Sequence, residues 1–456
     1  MLSFLAFPSN KSVFVGDTLE PNVYIPRAVL KNLSLQVNSE GQQILEANGI
    51  PATDFSISPG GELPVANTPG TFLMQVKLFG LIPVREMVVN VVPRVKVIPG
   101  GQSIGVLLHT NGVMVVGIAD VTTESGKKEN PAAVAGVEVG DVILKVNNLT
   151  IKSDTQLRKI IDSYGKQKKP LTVQIKRGKE TFSASVQPAY CQETRRYRMG
   201  LFIRDSAAGV GTLTFYHPAS GRYGALGHMI ADIDTSQQID LADGCIVGAS
   251  IQEIHPGKKG RPGEKIGLFD GESGISGDIA KNSQFGIFGN LNKPIKSVIY
   301  KKPIPVALND EIVKGPAKIV TVVKGNKMER YDIEIQKVIP QSHDGKGLII
   351  KITDRGLLRD TEGIVQGMSG SPIIQNGRLI GAVTHVFIND PTRGYGVLAQ
   401  WMIQEAGILP ENEDKFKVSE AKKPQFFLKK IPNFCGNIRR RFPVAVELFD
   451  INREKR

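Results

Sequence analysis

Six residues near the end of the chain, Gly367-Met368-Ser369-Gly370-Ser371-Pro372, have the composition of a tight turn that presents a hydroxyl. A serine oxygen is a weak nucleophile at neutral pH. For acyl transfer it needs a neighbouring base, a group that orients the base, and donors for the developing oxyanion. Glycine two places before Ser369 permits a sharp turn, so the amides of Gly367 and Ser369 are candidates to converge on one oxygen as an oxyanion hole. Ser371 lies past the turn and reads as a support.

The strand, turn and strand that follow, Ile373-Ile374, Asn376-Gly377 and Leu379-Ile380-Gly381-Ala382-Val383, place the motif at the start of a hairpin. The order Gly-x-Ser-Gly-x-Pro resembles that of chymotrypsin-like peptidases, in which the second strand lines the substrate cleft. It is not the elbow of α/β hydrolases, because position 371 is Ser rather than Gly. Gly271-Glu272-Ser273-Gly274-Ile275-Ser276-Gly277 has a similar local appearance but no such hairpin after it, and reads as a structural glycine loop.

Six histidines are available as base. His109, His255 and His343 sit in segments with ready structural explanations, and His217 precedes Pro218 in a turn. His385 ends the strand after the serine motif, where it either lines the cleft or faces solvent. His228 follows a small-residue strand far ahead of Ser369, an order that lets one barrel supply the base and the other the nucleophile.

These residues need a scaffold, and 456 residues are too many for one ordinary core. At about 150 residues per domain the length suggests roughly three. Short β-branched runs between glycine and proline turns predict a mainly β, multidomain protein. Residues 1–97 read as a β-rich N-terminal region, 98–190 as a second domain, 191–410 as a double β-barrel, and 411–456 as a basic extension.

In the second domain, Asn130-Pro131-Ala132-Ala133 opens a short helix, and Ala135-Gly136 and Gly140-Asp141-Val142-Ile143 lead into a strand. This segment resembles a PDZ domain of bacterial proteases. The resemblance implies that an extended peptide is bound by strand addition, with a glycine-containing loop holding its terminal carboxylate. Ser103-Ile104-Gly105-Val106 occupies the place expected for that loop.

His228 within Gly227-His228-Met229-Ile230, the stretch DGESGISGDIAK, and GIVQGMSGSPIIQNGRLIGAVTHVFINDPTRGYG together resemble the stage IV sporulation peptidase B family. These are serine peptidases of endospore-forming bacteria with a PDZ domain ahead of a chymotrypsin-like domain. The resemblance implies Ser369 as nucleophile, His228 as general base and Asp354 as the acid, with Asp232 as its rival close to His228. It also implies self-cleavage, and cleavage of a membrane-associated regulatory protein between mother cell and forespore. That cleavage relieves an intramembrane metalloprotease which processes a sporulation sigma factor. No cofactor or metal is expected.

The formal charge of +13 suits an anionic partner. No stretch interleaves basic and aromatic residues as a base-stacking surface does, which argues against nucleic acid. The tail, with KKPQFFLKK and IRRRF, better suits an anionic membrane surface. Cys191, Cys245 and Cys435 form neither a disulfide framework nor a CxxC site. The opening MLSFLAFPSNK falls well short of the ~20 apolar residues of a membrane span, so either there is no anchor or the chain starts downstream of one. Two other classes fit the same residues: a PDZ scaffold with a degenerate barrel, and a membrane-surface adaptor acting through the tail.

Overall fold

A computed structural model describes residues 10–409 except 20–31, 40, 48, 54, 58–62, 271–273, 296, 341 and 343. The basic extension 411–456 and the Gly271-Glu272-Ser273 part of the competing serine loop lie outside the described residues. The chain divides into two compact units. No helix among the described residues is long and apolar enough to cross a membrane.

The first unit runs to Lys96 and takes in Pro305–Val313. Its main sheet contains β1 (Asn10–Phe14), β2 (Leu33–Asn38), β3 (Phe55–Ile57), β4 (Gly70–Leu78) and β5 (Ile82–Val92) in the order β1-β5-β4-β2-β3. Alternation in β4 turns Phe72, Met74 and Val76 to one face, where they pack with Leu35, Val37, Met87 and Val89. The expected β-rich N-terminal region is present.

The second unit begins with β6 (Ser103–Ile118), a strand that serves two cores. Its first half contributes Ile104, Val106 and Leu108 to a core with Leu213, Ala225, Leu226 and Ile246. Beyond a register irregularity between His109 and Met114, its second half contributes Val113 and Val115 to another core.

That other core belongs to the segment expected to be a PDZ domain. It is built on α1 (Pro131–Val134), β7 (Val142–Val146), α2 (Asp154–Lys166), β8 (Leu171–Arg177) and β9 (Glu180–Val186). Asn130 caps α1 by accepting from the Ala133 amide at 2.8 Å, with Pro131 in the first turn. Ser153 caps α2, whose Leu157 and Ile161 are buried.

The chain returns to the first core through β10 (Leu201–Tyr216), which lies antiparallel to β6 along nearly its full length. β11 (Arg222–Ala225) and β12 (Leu241–His255) extend this sheet, pairing with β10 and β6 respectively. β13 (Gly263–Asp270) pairs with β12, and β14 (Gly286–Asn290) with β11. The long paired strands β6 and β10 thus run through both cores, one half of each in either.

A closed six-stranded barrel follows. It comprises β15 (Gly315–Val322), β16 (Met328–Val338), β17 (Leu348–Ile352), then, after α3 (Arg355–Thr361), β18 (Pro372–Gln375), β19 (Arg378–Phe387) and β20 (Asp390–Leu398). Helix α4 (Ala399–Glu405) follows β20. In β16, Tyr331, Ile333 and Ile335 point inward and their neighbours outward. The mainly β architecture agrees with the expectation, with one closed six-stranded barrel among the described residues.

Candidate active site

Ser369 lies in the loop between Val365–Gln366, which pairs in parallel with Gly263–Glu264 of β13, and β18. The loop is fixed from both sides. From β10, the Thr212 amide donates to the Ser369 carbonyl (2.9 Å), the Thr212 hydroxyl to the Gly367 carbonyl (2.8 Å), and the Thr214 hydroxyl to the Gly370 carbonyl (2.8 Å). From β19, the Val383 carbonyl accepts from the Gly370 amide (2.8 Å), and the Val383 amide donates to the Ser371 carbonyl (3.0 Å).

Gly370 has φ +91°, and a Cβ there would stand 2.1 Å from the Thr212 carbonyl oxygen. Only glycine fits that close approach. The sharp turn expected at Gly367 is present, with φ +88°. The Ser369 amide makes no hydrogen bond to an acceptor among the described residues, as an oxyanion donor requires. Ser371 is fully buried behind the turn, its hydroxyl without a hydrogen-bond partner among the described residues.

The Ser369 hydroxyl donates to the Thr384 carbonyl at 2.7 Å. His228 approaches the same stretch of β19: its ring centroid is 5.0 Å from that of His385, and a Cβ on the preceding Gly227 would lie 2.8 Å from the Thr384 methyl. The structure thus brings Ser369 and His228 to one place, the Thr384-His385 segment. His228 Nδ1 is 2.8 Å from the Met229 carbonyl. A carbonyl only accepts, so the proton sits on Nδ1 and the lone pair on Nε2, the tautomer that a general base needs.

Burial holds His228 below the ordinary imidazole range, partly offset by that carbonyl. His385 is pressed down to about 3 by burial and by the neighbouring His228, and its buried Nδ1 has no partner among the described residues. Both rings are uncharged at neutral pH.

Both carboxylates expected as the acid have hydrogen-bond partners of their own. Asp354 caps α3: Oδ1 accepts from the Leu357 amide at 2.9 Å and Oδ2 from the Asp332 amide at 3.4 Å. Its carboxylate is occupied by backbone at a helix start, and the Met229 carbonyl stands where the acid would orient the imidazole. The rival Asp232 is also committed. One oxygen accepts from the Asp234 and Thr235 amides and the Thr235 hydroxyl, and the other from Arg204 at 2.5 Å.

Two groups had no place in the sequence reading. Thr212 and Thr214 share a face of β10, a spacing visible in the run GVGTLTFY. Lys265 is buried with its stem against Gly367 and its Nζ donating to Thr321 Oγ1 at 2.8 Å; burial lowers it to about 7.

Ser103-Ile104-Gly105-Val106 does not form the expected carboxylate loop. These residues are strand, hydrogen-bonded to β10 on one side and, from Ile104, to β12 on the other. The space beside Gly105 is filled by the Phe269 ring.

The open edge of the PDZ domain is at Leu201–Arg204, which pairs with β6 on one side; β10 acquires strands on its other side only from Leu213 onward. Between this edge and α2 lies a cavity of about 500 Å³, lined by Leu157, Arg158, Ile161, Gly200, Phe202 and Arg204 among others.

Residues 195–403 match the SpoIVB peptidase S55 family, and residues 103–187 match the PDZ domain. None of the curated proteins matches the chain. Similar solved structures include the PDZ domain of the SdrC-like protein from Listeria monocytogenes (19% identity, 20% of this chain and 87% of that one, TM-score 0.16). They also include the Rv3671c protease from M. tuberculosis in its active form (14% identity, 44% and 74%, TM-score 0.24). A third is the HtrA-type protease AlgW with a decapeptide (10% identity, 46% and 53%, TM-score 0.26). Together the S55 and PDZ matches support a SpoIVB-like, PDZ-containing serine peptidase.

Proposed function

We propose that this serine endopeptidase acts in sporulation signalling with Ser369 as its nucleophile and His228 as its base. The observation that carries the site assignment is the convergence of the clasped Ser369 turn and the Nδ1-protonated His228 on Thr384-His385. Ser369 Oγ turns from the Thr384 carbonyl and attacks a peptide carbonyl carbon, its proton passing to His228 Nε2. The oxyanion is met by the amides of Gly367 and Ser369. His228 returns the proton to the leaving amine as the C–N bond breaks, and water then hydrolyses the acyl-enzyme by the same route in reverse.

The PDZ domain binds peptide or protein. In this proposal an extended segment adds to the Leu201–Arg204 edge, facing α2, and Leu157, Ile161 and Phe202 offer it apolar surface. The substrate is a membrane-associated regulator, whose cleavage releases an intramembrane metalloprotease for sigma-factor processing; the enzyme also cuts itself. Its place is the space between mother cell and forespore, beside a membrane. The family matched by residues 195–403 supports this reading.

The test has two parts. Purified wild type should be labelled at Ser369 by a fluorophosphonate and should shorten itself on incubation, while Ser369→Ala does neither. In an endospore-forming host lacking its own copy, wild type should restore sigma-factor processing and Ser369→Ala should not. Equal processing by the two would end the signalling proposal, and absence of labelling would return the chain to a scaffold.

A further inference from the structure

The segment after His228 is fastened to the PDZ domain at several points. Arg204, on the open edge of β10, reaches Asp232 with Nη1 (2.5 Å) and Asp234 with Nη2 (2.7 Å). Met114, the cross-strand partner of Arg204, contacts the Thr235 hydroxyl through its sulfur at 3.5 Å. The Gln237 side chain lies over Gly140, and Asp240 pairs with Lys176 of β8 at 2.5 Å. On the peptidase side, buried Asn282 holds both the amide (2.8 Å) and the carbonyl (2.9 Å) of Ile230. His228 therefore stands between a rigid peptidase anchor and a run of residues whose conformation the PDZ domain sets.

Arg204 is the strongest of these ties. Asp232 is 2% exposed and Arg204 only half-buried, so the guanidinium spans from a protein interior to the groove. The other oxygen of Asp232 closes a turn with Asp234 and Thr235, so the ion pair fixes the turn as well as one side chain. Because Arg204 also lines the α2 cavity, one residue touches both the ligand edge and the histidine segment.

We propose that Arg204 is a positioning residue through which the PDZ domain sets the pose of His228 and hence the reactivity of Ser369. It rests on the assignment of His228 and Ser369 above. An imidazole displaced by about 1 Å loses on the order of a hundredfold in rate. Arg204→Ala should therefore slow fluorophosphonate labelling of the full chain by about ten- to a hundredfold. Arg204→Lys keeps the charge but not the fork that spans two carboxylates, and should recover only part of that loss.

A second readout does not depend on Ser369. The His228 ring, assigned by comparison with His228→Ala, is titrated by NMR. Burial depresses its protonation, so a segment loosened by Arg204→Ala admits water and moves the midpoint up toward the ordinary imidazole value. His385, beside it with ring centroids 5.0 Å apart and uncharged in this range, does not confuse the reading. Should Arg204→Ala fail to fold, Asp234→Asn removes one arm of the fork and should slow labelling about threefold with a smaller upward movement of the midpoint. A folded Arg204→Ala protein, or failing that Asp234→Asn, with the wild-type His228 midpoint would overturn the proposal whether or not Ser369 is the nucleophile. Loss of labelling in wild type with the midpoint still moving in the variant would instead fault the assignment of Ser369 alone.

Discussion

Ser369 Oγ and the Thr384 carbonyl oxygen stand 2.7 Å apart, so at rest the proton to be abstracted points along β19 and not at the imidazole. Attack begins with rotation about the Ser369 Cα–Cβ bond, which carries the hydroxyl from Thr384 toward His228. The base is ready before the nucleophile turns, because the Met229 carbonyl has already selected its tautomer.

The pH dependence of labelling follows from His228. Its folded pKa is lowered by burial, so the neutral, competent form persists to a lower pH than for a solvated imidazole. Activity should rise with pH through a midpoint below 6.5, the ordinary value. For stability the sign is the same: the unfolded chain binds the proton first, so stability is lost as pH falls through the ordinary value toward the folded one. A fluorophosphonate rate profile with its acid limb above 6.5 would contradict the assignment of His228.

Thr212→Val keeps the shape of the fully buried threonine but removes the hydroxyl that holds Gly367. Leaving that carbonyl without its donor should cost about 1–3 kcal/mol in urea unfolding. Labelling should also slow, by roughly tenfold or more, because the same turn aims Ser369. Loss of stability with an unchanged labelling rate would show that the clasp holds the fold without shaping the site.

Asp354 gives a discriminating pair. As an N-cap it should tolerate asparagine, whereas Asp354→Ala should lose about 1 kcal/mol. Because Leu357 and Asp332 occupy its oxygens, the asparagine variant should also label at the wild-type rate. A folded Asp354→Asn enzyme that no longer labels would return the carboxylate to the imidazole in the working state.

The serine turn was readable because its demands are local: Gly370 needs a positive φ and a close backbone approach, and both appear as glycine in the sequence. Asp354 was not, because a helix cap and an orienting acid are the same residue type just before a helix, and only the folded partners separate them. The PDZ edge failed for a longer-range reason. Ser103-Ile104-Gly105-Val106 on β6 and Met199-Gly200-Leu201-Phe202 leading into its partner β10 are both glycine-containing apolar runs. Which of them keeps a free edge depends on where β12 pairs, and that choice is set by contacts far apart in the chain.

Lys265 offers the last test, of a buried charge beneath the serine turn. Its ammonium is lowered to about 7 by burial, with Thr321 Oγ1 as hydrogen-bond partner. Between that value and its ordinary 10.5 the unfolded chain holds the proton and the folded chain does not, so this residue makes stability rise with pH across the window. Lys265→Met fills the same space without the charge and should flatten that rise while raising Tm at pH 7. Because the stem lies against Gly367, methionine also keeps the packing under the turn, and labelling of Ser369 should survive. A wild-type Tm that does not rise between pH 7 and 10 relative to Lys265→Met would show that the ammonium is solvated and the turn rests on something other than a neutral lysine.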